Sequence, residues 1–108
     1  MKFYMHQDQA ANQFYFELVS EEDQPLLTSQ AYADRDGCIE GIRRAIEGFL
    51  NEDLFDSGAE EDDFYFVLHT ENQQELARSR SFGSRQEVAE AISSITSAAA
   101  NMKEYEVT

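Results

Sequence analysis

Hydrophobic and polar positions alternate along Phe14–Val19: Phe14, Phe16 and Leu18 share one parity, and Tyr15, Glu17 and Val19 the other. A period of two is the signature of a strand with one buried face. Phe64, Phe66 and Leu68 carry the same pattern further along the chain. Polar turns at Ser20–Asp23 and Thr70–Gln73 lead into shorter apolar segments at Leu26–Ala31 and Leu76–Ser81, so each pair of segments is predicted to form an antiparallel hairpin. Pro25 lacks an amide donor and belongs at a strand start or edge. The period then lengthens. Cys38, Ile42, Ala45, Ile46, Phe49 and Leu50 recur at helical spacing, as do Val88, Ile92, Ile95, Ala99 and Met102. Ser84 followed by Glu87 is a capping box, and Asp34 holds the matching N-cap position in the first helix, where Gly37 replaces the glutamate. Lys2–Met5, Leu54-Phe55 and Glu104–Val107 are short alternating segments that flank the hairpins as candidate extra strands.

The two halves are copies of one another. A shift of 50 residues lays positions 14–46 on 64–96 without a gap, and 11 of the 33 pairs are identical. These are Phe14/Phe64, Tyr15/Tyr65, Phe16/Phe66, Leu18/Leu68, Glu21/Glu71, Gln24/Gln74, Leu26/Leu76, Ser29/Ser79, Arg35/Arg85, Glu40/Glu90 and Ile42/Ile92. Tyr32/Phe82, Ile39/Ala89 and Gly41/Ala91 are similar in kind. Such a match identifies an internal repeat. Repeat 1 spans residues 1–51, an acidic linker with a candidate short strand 52–63, and repeat 2 residues 64–108. The fold class expected is α+β: two tandem ββα-type repeats with pseudo-twofold symmetry, one antiparallel sheet, and both helices on one of its faces. A unit of about 50 residues buries too little apolar surface to be secure alone, so the pair should unfold as one body.

A Phe-rich strand, a polar turn, a second strand ending in Ser29-Gln30-Ala31-Tyr32 and a capped helix carrying Gly41-Ile42, all then repeated, resembles the YegP-like family of small bacterial proteins of unknown function. The resemblance spans nearly the whole chain. It implies the same α+β tandem fold and brings no catalytic residues with it. The chain departs from the family pattern at Arg43-Arg44-Ala45 after Gly-Ile, at Ala91 in place of glycine, in hairpin turns without Asn-Gly, and in its acidic linker.

Charge narrows the classes of partner. Twenty-two acidic residues against eight basic ones leave a formal charge of −14 over 108 residues. Nucleic-acid affinity comes largely from Lys and Arg neutralising phosphates, so no nucleic-acid partner is expected. An anionic membrane surface would repel the chain, and no apolar run approaches the roughly 18 residues of a spanning helix, so no membrane association is expected. The first residues carry no apolar signal core, and a single Cys cannot form an internal disulfide, which points to a cytoplasmic protein. An apolar content of 42% with 12% aromatics is ample for a folded core.

No residue pattern reads as catalytic. Cys38, the only thiol, sits on the apolar helical stripe and aligns with Val88, as a core residue would. His6 and His69 align with Asp56 and Val19, and neither has a second His or a Cys at ligand spacing. Asp34-Arg35-Asp36-Gly37 fails as a calcium loop, because with Gly37 at position 6 the flanking ligands would be Tyr32 and Arg43. Seven acids between Asn51 and Asp63 read as a solvated charge run. Ser29/Ser79 recur without a recurring base, which suits backbone bonding at a corner rather than nucleophilic chemistry. No catalytic, cofactor-binding or metal-binding residue is assigned, no cofactor is implied, and the protein is not read as an enzyme.

The remaining candidates form a surface. Tyr15 and Tyr65 are duplicated on the strand parity opposite the core, and Arg78 and Arg80, two apart on one strand, share a face by periodicity. A non-catalytic interaction or structural module, with Tyr15, Tyr65, Arg78 and Arg80 contacting a protein partner, is the leading reading, and the equal alternative for the two tyrosines is that terminal strands cover them. A monomer is expected, with a weak homodimer as the next state. The competing reading is a small-ligand protein or enzyme with a pocket between the repeats that uses Arg78, Arg80, Glu40 and Glu90.

Overall fold

The computed structural model of the chain describes residues 1–99. The elements run β1 (Lys2–Asp8), β2 (Gln13–Val19), β3 (Pro25–Ser29), α1 (Arg35–Phe49), a 3-10 turn (Glu52–Leu54), β4 (Phe55–Glu60), β5 (Asp63–His69), β6 (Glu75–Ser79) and α2 (Arg85–Ala99). All six strands form one antiparallel sheet in the order β1-β2-β3-β6-β5-β4. The fold is α+β in two tandem copies. Each copy has three strands before its helix, because β1 and β4 join the predicted hairpins as the outer strands. The acidic stretch therefore supplies the 3-10 turn, β4 and the start of β5, and so belongs to the sheet. Met102 and Glu104–Val107 lie outside the described residues.

The copies meet at β3 and β6, where Leu27 faces Ser79, Thr28 faces Arg78 and Ser29 faces Ala77. Ser29 is the counterpart of Ser79 and Leu27 of Ala77, so the first and last pairings are one contact made twice about a pseudo-twofold axis. Gln30 N to Leu76 O at 3.3 Å and Arg80 N to Leu26 O at 3.2 Å extend the seam symmetrically.

The 50-residue correspondence holds from β2 onward and breaks in the outer strands. His6 pairs with Tyr15, whereas Tyr65 pairs with Gly58, so the structural counterpart of His6 is Gly58 and not Asp56. The cause is the hairpin loop: four residues (9–12) join β1 to β2, and two (61–62) join β4 to β5.

Local chemistry fixes the corners. Asp34 Oδ1 accepts the Gly37 amide at 2.6 Å, and Ser84 Oγ accepts the Glu87 amide at 3.2 Å. Glu87 Oε2 accepts from Gly83 N at 2.8 Å, one residue before the cap. Ser29 and Ser79 bond backbone in both copies: each hydroxyl accepts the amide of Phe16 or Phe66 at 2.9 Å and donates to the next carbonyl at 2.8 Å. The ladder between the second and third strands is interrupted there, and the hydroxyl replaces the missing carbonyl for an amide beside a buried phenylalanine.

Both helices cover one face, and the core beneath them is a run of aromatic rings. Tyr32 stacks on Phe16, Phe16 meets Phe3 edge-on, Phe3 stacks on Phe49, Phe49 on Phe55, Phe55 meets Phe66, and Phe66 stacks on Phe82, with centroids 5.7–6.4 Å apart. Phe49 stands at the centre, 6.2 Å from Phe3 and 6.2 Å from Phe55. Phe3 and Phe55 lie on opposite outer strands, which a flat six-stranded sheet would hold about 24 Å apart. The sheet curls around the helices so that one ring bridges both sides.

α1 also crosses the seam: it packs on β2 of its own copy and on β5 and β6 of the other. Gly48 in its last turn leaves room for Leu68, which a Cβ would meet at 3.3 Å.

Tyr32 and Gly41 are coupled in the same way. A Cβ on Gly41 would lie 2.5 Å from Cζ of Tyr32 and overlap its hydroxyl. The second copy has Phe82 and Ala91 at these positions, so the smaller ring accompanies the larger helix residue. Gly41→Ala is expected to cost about 1–3 kcal/mol through overpacking, outweighing the roughly 1 kcal/mol that alanine adds to a helix. Gly41→Ala with Tyr32→Phe removes the hydroxyl overlap but keeps the ring carbons close, and should recover part of that loss. Urea denaturation of the two single variants and the double variant measures the coupling, and additive effects would refute it.

Candidate functional site

The sheet face turned away from the helices is the candidate site. One row across it runs Tyr4, Glu17, Thr28, Arg78, Val67 and Asp56, each paired with the next by strand register. Tyr15 and Tyr65 stand beside this row, half-buried, one on each side of the seam. Their alternation with Phe16 and Phe66, which are fully buried under the helices, puts them there.

The two tyrosines sit in different surroundings. The Tyr15 ring lies 5.0 Å from the His6 ring, stacked across the β1–β2 pair. Tyr65 instead covers Gly58, where a Cβ would come 2.5 Å from its Cζ, and the Arg78 guanidinium lies 5.0 Å from the Tyr65 ring centroid. Arg78 donates to Glu75 at 2.9 Å, and Gln30 donates across the seam to the other oxygen of the same carboxylate at 2.6 Å. The hydrogen bond that Arg78 donates to Glu75 raises the pKa of its guanidinium above the ordinary value.

Arg78 and Arg80 both line a cavity over the seam but differ in their partners. Periodicity places both on one face, but β6 ends at Ser79, and the Arg80 guanidinium turns to lie 4.2 Å from the ring centroid of Phe82, a core residue. Arg80 also donates to the Ser81 carbonyl at 3.1 Å. The open face therefore receives Tyr15, Tyr65 and Arg78, while Arg80 borders the end of the sheet.

Two His–carboxylate contacts on this face are not foreseen by sequence spacing. His6 Nε2 lies 2.7 Å from Glu17 Oε1, and His69 Nδ1 lies 2.8 Å from Asp56 Oδ2. Each joins residues diagonal to one another in a strand pair, a relation that only the register reveals.

The clefts carry little chemistry. One, of about 1050 Å³, lies between α2 and the β2–β3 turn and is lined by Glu21, Glu22, Glu87, Glu90, Arg80 and the serines of α2. Glu90 is exposed there, with one carboxylate oxygen accepting from Gln86, and Glu40 pairs with Arg43 on α1. Glu40 does not line that cleft. A smaller cavity of about 310 Å³ over the seam is lined by Thr28, Gln30, Glu75, Arg78 and Arg80. Cys38 is fully buried beneath α1, and burial raises its thiol pKa, which disfavours the reactive thiolate. Burial, followed by the neighbouring Cys38, raises the Tyr32 phenol in the same way. Among the described residues no group of three His, Cys, Asp or Glu side chains is arranged to hold a metal ion. No helix among them is long and apolar enough to cross a membrane.

Comparison with known proteins places this architecture. A solution NMR structure of a UPF0339 protein from Shewanella oneidensis is similar with a TM-score of 0.86 at 22% identity, covering 99% of this chain and 88% of that one. The solution NMR structure of yegP from E. coli, described as a protein of unknown function, is similar with a TM-score of 0.85 at 25% identity, covering 99% and 90%. A search of curated proteins finds no match. A family model described as a domain of unknown function (DUF1508) matches twice, over residues 9–49 and 59–106, once in each copy of the repeat. With both of its units matched, and with the fold of yegP, the chain belongs to the DUF1508 family.

Proposed function

We propose that the protein is a non-catalytic interaction module that binds a protein partner through the open face of its sheet. The observation that carries this reading is the pair of half-buried tyrosines, Tyr15 and Tyr65, held on the helix-free face on either side of the seam. Aromatic side chains with little rotamer freedom and a polar tip are favoured contact residues, and Arg78 over Tyr65 adds a preorganised cation. The clefts support an enzyme less well. Their carboxylates stand exposed, and Glu75 already occupies Arg78 in the seam cavity.

Affinity capture with the wild-type chain and with Tyr15→Ala plus Tyr65→Ala tests the assignment. Both baits must first give the same far-ultraviolet dichroism. The expected result is a partner retained by the wild type and reduced about tenfold or more by the double variant, as for loss of a contact centre. Equal retention by both baits would move the contact surface elsewhere.

A further inference from the structure

We propose that the outer edge of β4 is a strand-addition site for an extended, lysine- or arginine-rich segment of a partner protein. β4 is the last strand of the sheet, paired on one side with β5 and, among the described residues, with nothing on the other. Its six residues follow β5 in unbroken register from Phe55 to Glu60, without the bulge that interrupts the β2–β3 and β5–β6 pairings. Proteins protect sheet edges with prolines, bulges, charged side chains or covering segments; among the described residues β4 has only the charges of Asp56 and Glu60, which deter an acidic strand but not a basic one. A regular edge offers backbone donors and acceptors to an added strand, whose side chains would alternate between the two faces.

Charge selects the occupant. No Lys or Arg occurs from residue 45 to residue 77, while ten Asp and Glu fall within that span. On the open face β4 presents Asp56, Gly58 and Glu60, with both acids exposed, so an added strand would lay two of its three open-face side chains beside a carboxylate. On the helix side it presents Phe55, Ser57 and Ala59, and Arg85 approaches there over the Phe64 ring at 5.5 Å. Cations on the incoming strand are thus matched on the open face, and apolar side chains on the other. At the start of β4 a cavity of about 330 Å³ opens between Asp53, Asp56, His69 and Glu71. A second copy of this chain would bring its own acids to the edge and be repelled.

The edge borders the open face and shares Asp56 with it, but the tyrosine variants and the Asp56 and Glu60 variants test the two readings separately. The probe is a nine-residue peptide that alternates lysine and valine, titrated into the ¹⁵N-labelled full chain at low salt. The expected result is saturable binding with new hydrogen-exchange protection on amides within 55–60, at least tenfold weakened by Asp56→Lys plus Glu60→Lys. Raising salt well past the Debye regime should weaken it too. A version of the peptide N-methylated at alternate backbone positions keeps its charge but cannot complete the ladder, and should bind at least tenfold more weakly. Equal binding of the methylated peptide, or shifts spread over the acidic surface without β4 protection, would overturn strand addition. Self-association of the chain through β4 in the absence of peptide would overturn the choice of a basic partner.

Discussion

Phe49→Ala is expected to destabilise the protein by about 3–5 kcal/mol, the range for removing a fully buried phenylalanine. Against a typical domain stability of about 5–15 kcal/mol, that loss takes the chain close to unfolding at room temperature. The position is special because of where the ring stands. It is fully buried, and it stacks on Phe3 from one outer strand and on Phe55 from the other. The second copy has Ala99 at the equivalent place, so no symmetric ring can take over. A cavity there would have to collapse by drawing both sheet edges further inward, which the continuous ladder resists. Denaturant midpoints for Phe49→Ala and for Leu50→Ala check the point, since Leu50 is 63% exposed and its truncation should change stability by less than about 0.5 kcal/mol. A loss for Phe49→Ala below about 1.5 kcal/mol would show that the ring does not bridge the two sides.

Cutting the chain between residues 51 and 52 is expected to abolish the folded monomer altogether. α1 belongs to the first copy yet packs on β5 and β6 of the second, with Gly48 against Leu68. A fragment 1–51 would expose that helix face and an unpaired β3; a fragment 52–108 would lack α1 over its strands. Neither buries enough apolar surface for a domain of about 50 residues to be stable alone. Each fragment should give a collapsed amide spectrum when dilute, and mixing them should restore dispersed resonances. A dispersed spectrum from either fragment as a dilute monomer would refute the shared core. Because the seam repeats one contact about a pseudo-twofold axis, fragment self-pairing at high concentration is compatible with this picture.

Much of this architecture is legible in the sequence because its determinants are local. Alternation at Phe14–Leu18 and Phe64–Leu68 requires a half-buried strand wherever the segment lies, and the stripes through Ile42 and Ile95 require a packed helix. The caps at Asp34 and Ser84 act within one turn, and the ungapped repeat states that whatever one half does the other does too. Family membership follows from the same ordered pattern. Tyr15 and Tyr65 reach the open face by parity alone. Parity puts Arg80 beside Arg78 at the seam but could not give the course of its side chain, whose guanidinium lies over the Phe82 ring.

Long-range geometry decided the rest. The two-residue difference between the β1–β2 and β4–β5 loops sets the outer register, so that His6 meets Tyr15 and Glu17 while Gly58 accepts the Tyr65 ring. Loop length is visible in a sequence only once the strand ends are known. The curl that brings Phe3, Phe49 and Phe55 together, and the crossing of α1 onto the other copy, depend on how six strands twist as one sheet. Periodicity along the chain fixed which side of each element faces inward; only closure of the whole sheet fixed which elements met there, because that pairing is settled between residues far apart in sequence.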